Sequence, residues 1–154
     1  MLVITRAPYE QPQLQKTAEQ YAGRILEHLR YVGVLCVEFF VVQGALLANE
    51  IAPRVHNSGH WTIEGADTSQ FENHLRAIAG LPLGSTRPRG HAVMVNFVGT
   101  IPRSRAVLTL DGTHFHDYGK RPRAGRKLGH ATYVGSTPRG RDRAVRDLLR
   151  SAGR

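Results

Sequence analysis

Gly33–Thr62 reads GVLCVEFFVVQGALLANEIAPRVHNSGHWT, an apolar run broken by single carboxylates and followed by a dense polar loop. Positions 34–42 are apolar except Glu38, and their Val and Phe content predicts a strand covered on both faces. Gln43 and Gly44 punctuate the chain, and Ala45–Ile51 reads as a returning strand, so the expected unit is a hairpin. A two-residue loop at 43–44 would set Glu38 opposite Asn49. A three-residue loop at 43–45, with Gly44 at positive φ, would pair Val42 with Leu46 and Glu38 with Glu50. The second register is the expectation. Like charges facing each other in a sheet repel unless a cation lies between them. Hard oxygen donors of this kind suit magnesium, especially magnesium also held by substrate phosphates. The alternative is a different register in which each carboxylate pairs with its own Arg or Lys.

The loop after the hairpin, Pro53–Trp61, groups Arg54, His56, Asn57, Ser58 and His60 around Gly59. That mixture suits an oxyanion: Arg as a fixed bidentate fork, His and Asn as orienting donors. His56 and His60 have the i, i+4 spacing of a helical zinc pair, but the HExxH glutamate is missing, and Asn57, Ser58 and Gly59 oppose a helix. The single cysteine, Cys36, lies in the apolar strand and reads as a core filler.

Upstream, Leu2–Thr5 predicts a strand. Leu14, Ala18, Tyr21, Ile25 and Leu29 then recur at spacings of 4, 3, 4 and 4, an amphipathic helix over Gln13–Arg30 that packs on the hairpin. Downstream, Ser69 and Glu72 form a capping box. It opens a helix with Phe71, Leu75 and Ile78 on one face, stopped by Gly80 and Pro82. His74 beside that face reads as a satisfied structural histidine. Leu81–Gly90, LPLGSTRPRG, reads as a linker and places a domain boundary between 84 and 85. Beyond it, strands are expected at His91–Val98, Ala106–Leu110, Thr113–Tyr118 and His130–Val134, with a terminal helix at Asp142–Ser151.

The charge changes sign along the chain. Residues 1–86 hold 6 Lys or Arg against 8 acids, whereas residues 87–154 hold 15 against 4, within an overall +9. Such asymmetry points to an anionic partner. No run approaches a membrane span, and no signal-peptide core is present, so a cytoplasmic protein without membrane partners is expected. The chain also lacks a G-x-G-x-x-G or P-loop motif.

Taken together, VEFFVVQGALLANEIAPRVHNSGHWTIEGADTSQFENHLRAIAGLPLG closely resembles the carboxyl-terminal half of the ATP-grasp domain of the 5-(carboxyamino)imidazole ribonucleotide synthase family. NEIAPRVHNSGHWT is the most specific string, and the likeness continues to GRKLGHATYVG. The resemblance implies an α+β fold: at 1–84 the carboxyl-terminal half of an ATP-grasp domain, an antiparallel sheet with helices, and at 85–154 a small basic β-rich domain. It also implies an ATP-dependent ligase that carboxylates aminoimidazole ribonucleotide with bicarbonate, through carboxyphosphate, in purine biosynthesis. Glu38 and Glu50 would hold magnesium, Asn49 and Glu50 would meet ATP, and Arg54, His56 and Asn57 would hold bicarbonate and then carboxyphosphate. YGKRPRAGRKLGH resembles the family's substrate-phosphate segment, which assigns Lys120, Arg126 and Lys127 to the ribonucleotide. Many ATP-grasp enzymes place an Asn ligand two residues after the second Glu; here that position is Ala52, so water or phosphate would complete the shell.

Such enzymes begin with a nucleotide-fold domain and a first ATP-grasp lobe that have no counterpart in these residues. The expectation is therefore a chain inactive alone, whether a truncated gene product, an excised portion or half of a split enzyme; an amino-terminal lobe supplied in trans and a second copy of the chain are the partners this leaves open. Two other readings stand beside this one: a basic nucleic-acid-binding module at 87–154, which rests on charge without a stacking platform of aromatics, and a non-catalytic structural remnant.

Overall fold

The computed structural model describes residues 3–153. In chain order its elements are β1 (Ile4–Ala7), α1 (Pro12–Leu29), β2 (Cys36–Val42), β3 (Ala45–Ala52), a 3₁₀ turn (Asn57–Gly59), α2 (Thr62–Gly65), α3 (Gln70–Ile78), β4 (His91–Val98), α4 (Ser104–Leu108), β5 (Thr113–Asp117), β6 (Lys127–Gly135) and α5 (Pro138–Ser151). The strands form a four-stranded antiparallel sheet, ordered β1-β4-β6-β5, and a separate hairpin of β2 and β3. The fold is α+β as expected. The expected boundary at 84/85 lies in the irregular stretch before β4, yet β1 crosses it by pairing Ile4 with Val95 and Ala7 with Ala92. The predicted strand start at Leu2 lies outside the described residues.

The central strand β4 has nearly every residue buried, and alternation gives its two faces different tasks. Val93, Val95 and Phe97 meet Ala131 of β6, Val107 of α4, and Ala144, Val145 and Leu148 of α5, forming the hydrophobic core. Ala92, Met94, Asn96 and Val98 line the opposite face. There α2 comes close enough that a Cβ at Gly65 would lie 3.1 Å from the Ala92 methyl. Helix α5 starts at Thr137, whose hydroxyl accepts from the Gly140 N–H, with Pro138 pre-set for the first turn.

In place of the strand expected at Ala106–Leu110, the chain forms α4. Only Val107 is fully buried in this helix, and the Thr113 hydroxyl donates to the Val107 and Leu110 carbonyls, tying down the helix end. One inward residue suffices for a turn of helix, whereas a strand would need alternating contacts. Helix α3 does begin at the predicted cap, with the Ser69 hydroxyl accepting from the Glu72 N–H. Phe71, Leu75 and Ile78 are nevertheless exposed, and Asn73 is the buried residue. The Asn73 amide is held by the backbone of Gly84 in both directions. His74 is satisfied as expected, its Nδ1 accepting from the Val34 N–H at 3.0 Å.

Candidate active site

Glu38 and Glu50 face each other across the hairpin. The route to that register differs from the expected three-residue loop. Val42 pairs with Ala45, so the turn is the two residues Gln43 and Gly44, with φ of 49° and 79°. Positive φ at both central residues is the type I′ pattern that matches strand twist. Pairing then runs Phe39 with Ala48 and Glu38 with Glu50, leaving Asn49 as the extra residue of a β-bulge. The bulge undoes the offset that the shorter loop introduces and restores the two carboxylates to facing positions. The expected covering of both hairpin faces is not found: Phe40, Val41, Val42, Leu47 and Ile51 are exposed.

A second bulge aims Lys127. Phe97 pairs with Gly129 and Val98 with Lys127, so Leu128 is skipped. Uniform alternation would turn Lys127 away from His130. The skipped residue instead brings Lys127 to the face of β4 that carries Asn96. Lys127 Nζ donates to Asn57 Oδ1 at 2.8 Å, and the amides of Asn57 and Asn96 exchange hydrogen bonds of 2.9 and 2.8 Å. Burial pushes the Lys127 ammonium below its ordinary pKa, while Glu38 and Glu50 pull it back up. The lysine therefore shares a field with the carboxylate pair.

The polar loop is held by Gln70, the first residue of α3. Its Oε1 accepts from the His56 N–H at 3.0 Å, and its Nε2 donates to the His56 carbonyl and lies 2.8 Å from His60 Nδ1. A Cβ at Gly59 would lie 2.6 Å from Gln70 Oε1, so the clamp needs glycine there. His56 caps the 3₁₀ turn: Nδ1 accepts from the Ser58 N–H and lies 3.5 Å from Glu38 Oε1. Arg54 is exposed and folds back to its own loop, donating to the Val55 carbonyl. His56 and His60 sit at the two ends of a 3₁₀ turn, not on one helical face.

Beneath Asn57 lies a stack of rings. His116 and His130 are stacked at 4.3 Å, and His130 Nδ1 lies 2.7 Å from the Tyr118 hydroxyl. Burial first, then His116 and His60, holds the His130 imidazole down at about 3. His60, 5.6 Å from His130, is lowered mainly by burial as well. His116 Nε2 meets Glu64 Oε1 at 2.7 Å. Burial also raises the Tyr118 phenol, so His60, Tyr118 and His130 are neutral near pH 7.

The predicted site residues thus divide. Glu38, Glu50, His56, Asn57 and Lys127 converge from two strands of the hairpin, the loop and β6. Asn49 occupies the bulge beside Glu50. Lys120 lies 5.0 Å over the Tyr118 ring, at the rim, and Arg126 is exposed in the loop before β6. Asn96, Gln70, His116, Tyr118 and His130 join the site without having been predicted from the sequence. Asn96 does carry a signal, as the lone polar side chain within the run Ala92–Val98.

Two carboxylates at facing positions, one half-buried and one exposed, form a hard-oxygen donor set that fits magnesium. Among the described residues Glu50 makes no ion pair within 4.0 Å. The Lys127 ammonium, held on Asn57 Oδ1 beside this donor set, adds the positive charge that suits the locus to an anion.

Comparison with known proteins matches residues 1–71 to the ATP-grasp domain and residues 92–143 to the phosphoribosylaminoimidazole carboxylase C-terminal domain. The N5-carboxyaminoimidazole ribonucleotide synthase of Pseudomonas aeruginosa is 63% identical over 119 residues, which cover 77% of this chain and 33% of that protein. The crystal structure of the synthetase from Thermus thermophilus superposes with a TM-score of 0.94 at 55% identity, over 97% of this chain and 42% of that one. The Aspergillus clavatus synthase in complex with ADP and 5-aminoimidazole ribonucleotide gives 0.92 at 30% identity, over 100% and 44%. The chain thus spans about a third of the length of the curated relatives it matches.

Proposed function

The chain belongs to the N5-carboxyaminoimidazole ribonucleotide synthase family, and from that premise we propose that it supplies the carboxyl-terminal part of an ATP-dependent ligase. The reaction joins bicarbonate to 5-aminoimidazole ribonucleotide in the cytoplasm. The observation that carries the proposal is the convergence of Glu38, Glu50 and Lys127, each aimed by a bulge or its register.

In this reading Glu38 and Glu50 hold magnesium, which when bound offsets phosphate charge during phosphoryl transfer. Asn49, displaced by the bulge, meets the ATP side. A bicarbonate oxygen attacks the γ-phosphorus, ADP leaves, and carboxyphosphate forms. Arg54, His56 and Asn57 orient these anions and keep water from them. The Asn96–Asn57 pair fixes the Asn57 amide, and Lys127 brings a positive charge to the same amide oxygen. Carboxyphosphate then releases carbon dioxide and phosphate, and the amine of the ribonucleotide attacks the carbon dioxide. Lys120 and Arg126, at the rim, would receive the ribonucleotide phosphate.

The adenine pocket and the first ATP-grasp lobe would come from a complementary portion. The test mixes this chain with the amino-terminal portion of the Pseudomonas aeruginosa relative and follows ADP release. Release that requires both parts, bicarbonate and ribonucleotide, and that falls roughly 100-fold or more in Glu50→Gln, is the expected result. Turnover by the isolated chain, or none by the mixture, would overturn the proposal.

A further inference from the structure

Cys36 and Glu38 stand two residues apart on β2, before its bulge, and therefore on one face of the strand. The loop delivers His56 to that face. One ligand atom from each of the three lies within 4.8 Å of the others. Each of the three carries an atom able to ligate a metal. His56 Nδ1 accepts from the Ser58 N–H at 3.3 Å and lies 3.5 Å from Glu38 Oε1. The Cys36 sulfur lies 3.7 Å from Ser58 Oγ, and that hydroxyl lies 2.8 Å from the same Nδ1. A thiol, an imidazole and a carboxylate so arranged are brought together by a soft divalent cation.

We propose that Cys36, Glu38 and His56 form a binding site for a thiophilic divalent ion of the zinc class, with water in the fourth position. It differs from the paired histidines excluded above, because His60 takes no part. It shares Glu38 with the magnesium position proposed for the reaction and, resting on that reading, makes zinc an inhibitor of it. As the metal–sulfur bond forms, the Cys36 proton passes to solvent, and the His56 lone pair turns from the Ser58 N–H to the ion. Gln70, holding the His56 backbone through both the oxygen and the nitrogen of its side-chain amide, supports the ligand from behind. Access is available through a cleft between α1 and β2, lined by Gln15, Ala18, Cys36, Phe39, His56 and Ser58. Magnesium itself would leave the thiol unused, since it takes oxygen ligands.

Cobalt(II), added to the chain without nucleotide, is the probe. The expected spectrum carries a thiolate-to-cobalt charge-transfer band in the near ultraviolet and strong visible bands of a four-coordinate ion, both erased by zinc. Cys36→Ala should remove the charge-transfer band. Glu38→Gln should weaken binding by at least the roughly 10–100-fold that loss of even a supporting hydrogen bond costs a metal site. Glu50→Gln, which removes none of the three ligands, should leave the band in place. Because Cys36 is the single cysteine, zinc should also slow its alkylation by iodoacetamide. A weak spectrum of six oxygen ligands, a band that survives Cys36→Ala, or equal loss in Glu50→Gln would each overturn the site. A failure of nucleotide binding or turnover would sink the proposed reaction and leave the cobalt result standing.

Discussion

Phe97 and Phe40 both sit within apolar strands, yet Phe97 is 1% exposed and Phe40 is 55% exposed. The first belongs to a four-stranded sheet backed by α5, the second to a two-stranded hairpin whose turn end is exposed on both faces. Burial of the sheet supplies the hydrophobic stabilisation of the fold. The hairpin gains far less from its own burial. It carries Glu38 and Glu50, while the sheet carries Lys127 and Asn96. The site therefore joins a well-supported cationic and amide half to a lightly supported carboxylate half. Such a division lets ligands influence the hairpin without disturbing the sheet, since weakly packed elements open at lower free energy.

The sharpest way to break this contrast is a pair of truncations. Phe97→Ala should lower stability by about 3–5 kcal/mol in urea unfolding, the range for a large buried aromatic removed from a core. Phe40→Ala should cost about 1 kcal/mol or less, because its ring leaves mostly water behind. Equal costs would mean that the Phe40 face of the hairpin is covered in solution, and the contrast would fail.

Acid should act on the sheet side. Burial, then His116 and His60, keeps the folded His130 imidazole at about 3, against about 6.5 in an unfolded chain. Between those values the unfolded state binds a proton that the folded state does not. Stability is thus fully present above about 6.5 and is lost as pH falls towards 3. From pH 7.5 to pH 4.5 this amounts to about 2–3 kcal/mol. Urea midpoints at the two pH values check it, with His130→Leu as the control. That variant should lose this part of the pH dependence whatever its stability at neutral pH. An unchanged slope would show that the acid sensitivity arises elsewhere.

The regular elements are legible in the sequence, and their irregularities are not. Helix α1, the Ser69 cap and β4 follow from periodicity, capping chemistry and an apolar run, which are local properties. Glu38 and Glu50 can be named as partners from the expected register, although the loop is one residue too long in that expectation. A bulge is an extra residue in one strand, and nothing in the composition of Leu47–Glu50 or Arg126–Gly129 marks it. Lys127 shows the consequence. As a member of a basic run it reads as one of several phosphate-facing charges, whereas the skipped Leu128 turns it inward to Asn57. Its neighbour Arg126 stays exposed. The ring stack of His60, His116 and His130 is assembled from three distant segments, so no short-range spacing reveals it.

The smallest predicted effect tests the hairpin directly. With no cation between them, Glu38 and Glu50 repel across the strand pair, and cross-strand charge contacts of this kind carry roughly 0.2–1 kcal/mol. Glu50→Gln should remove the repulsion and stabilise the free hairpin by that amount. It should slow amide hydrogen exchange in β2 and β3 and leave β4 and β6 unaffected. The same change deletes half of the proposed magnesium position, so excess magnesium with ATP should protect the hairpin of the unsubstituted chain and fail to protect the variant. The sign of the effect carries the information: a hairpin made less stable by Glu50→Gln would mean that the carboxylate already has a cationic partner, Lys127 being the candidate whose charge it already influences. In that case the open half of the site would be held shut by a residue of the sheet, and the two regions would act as one.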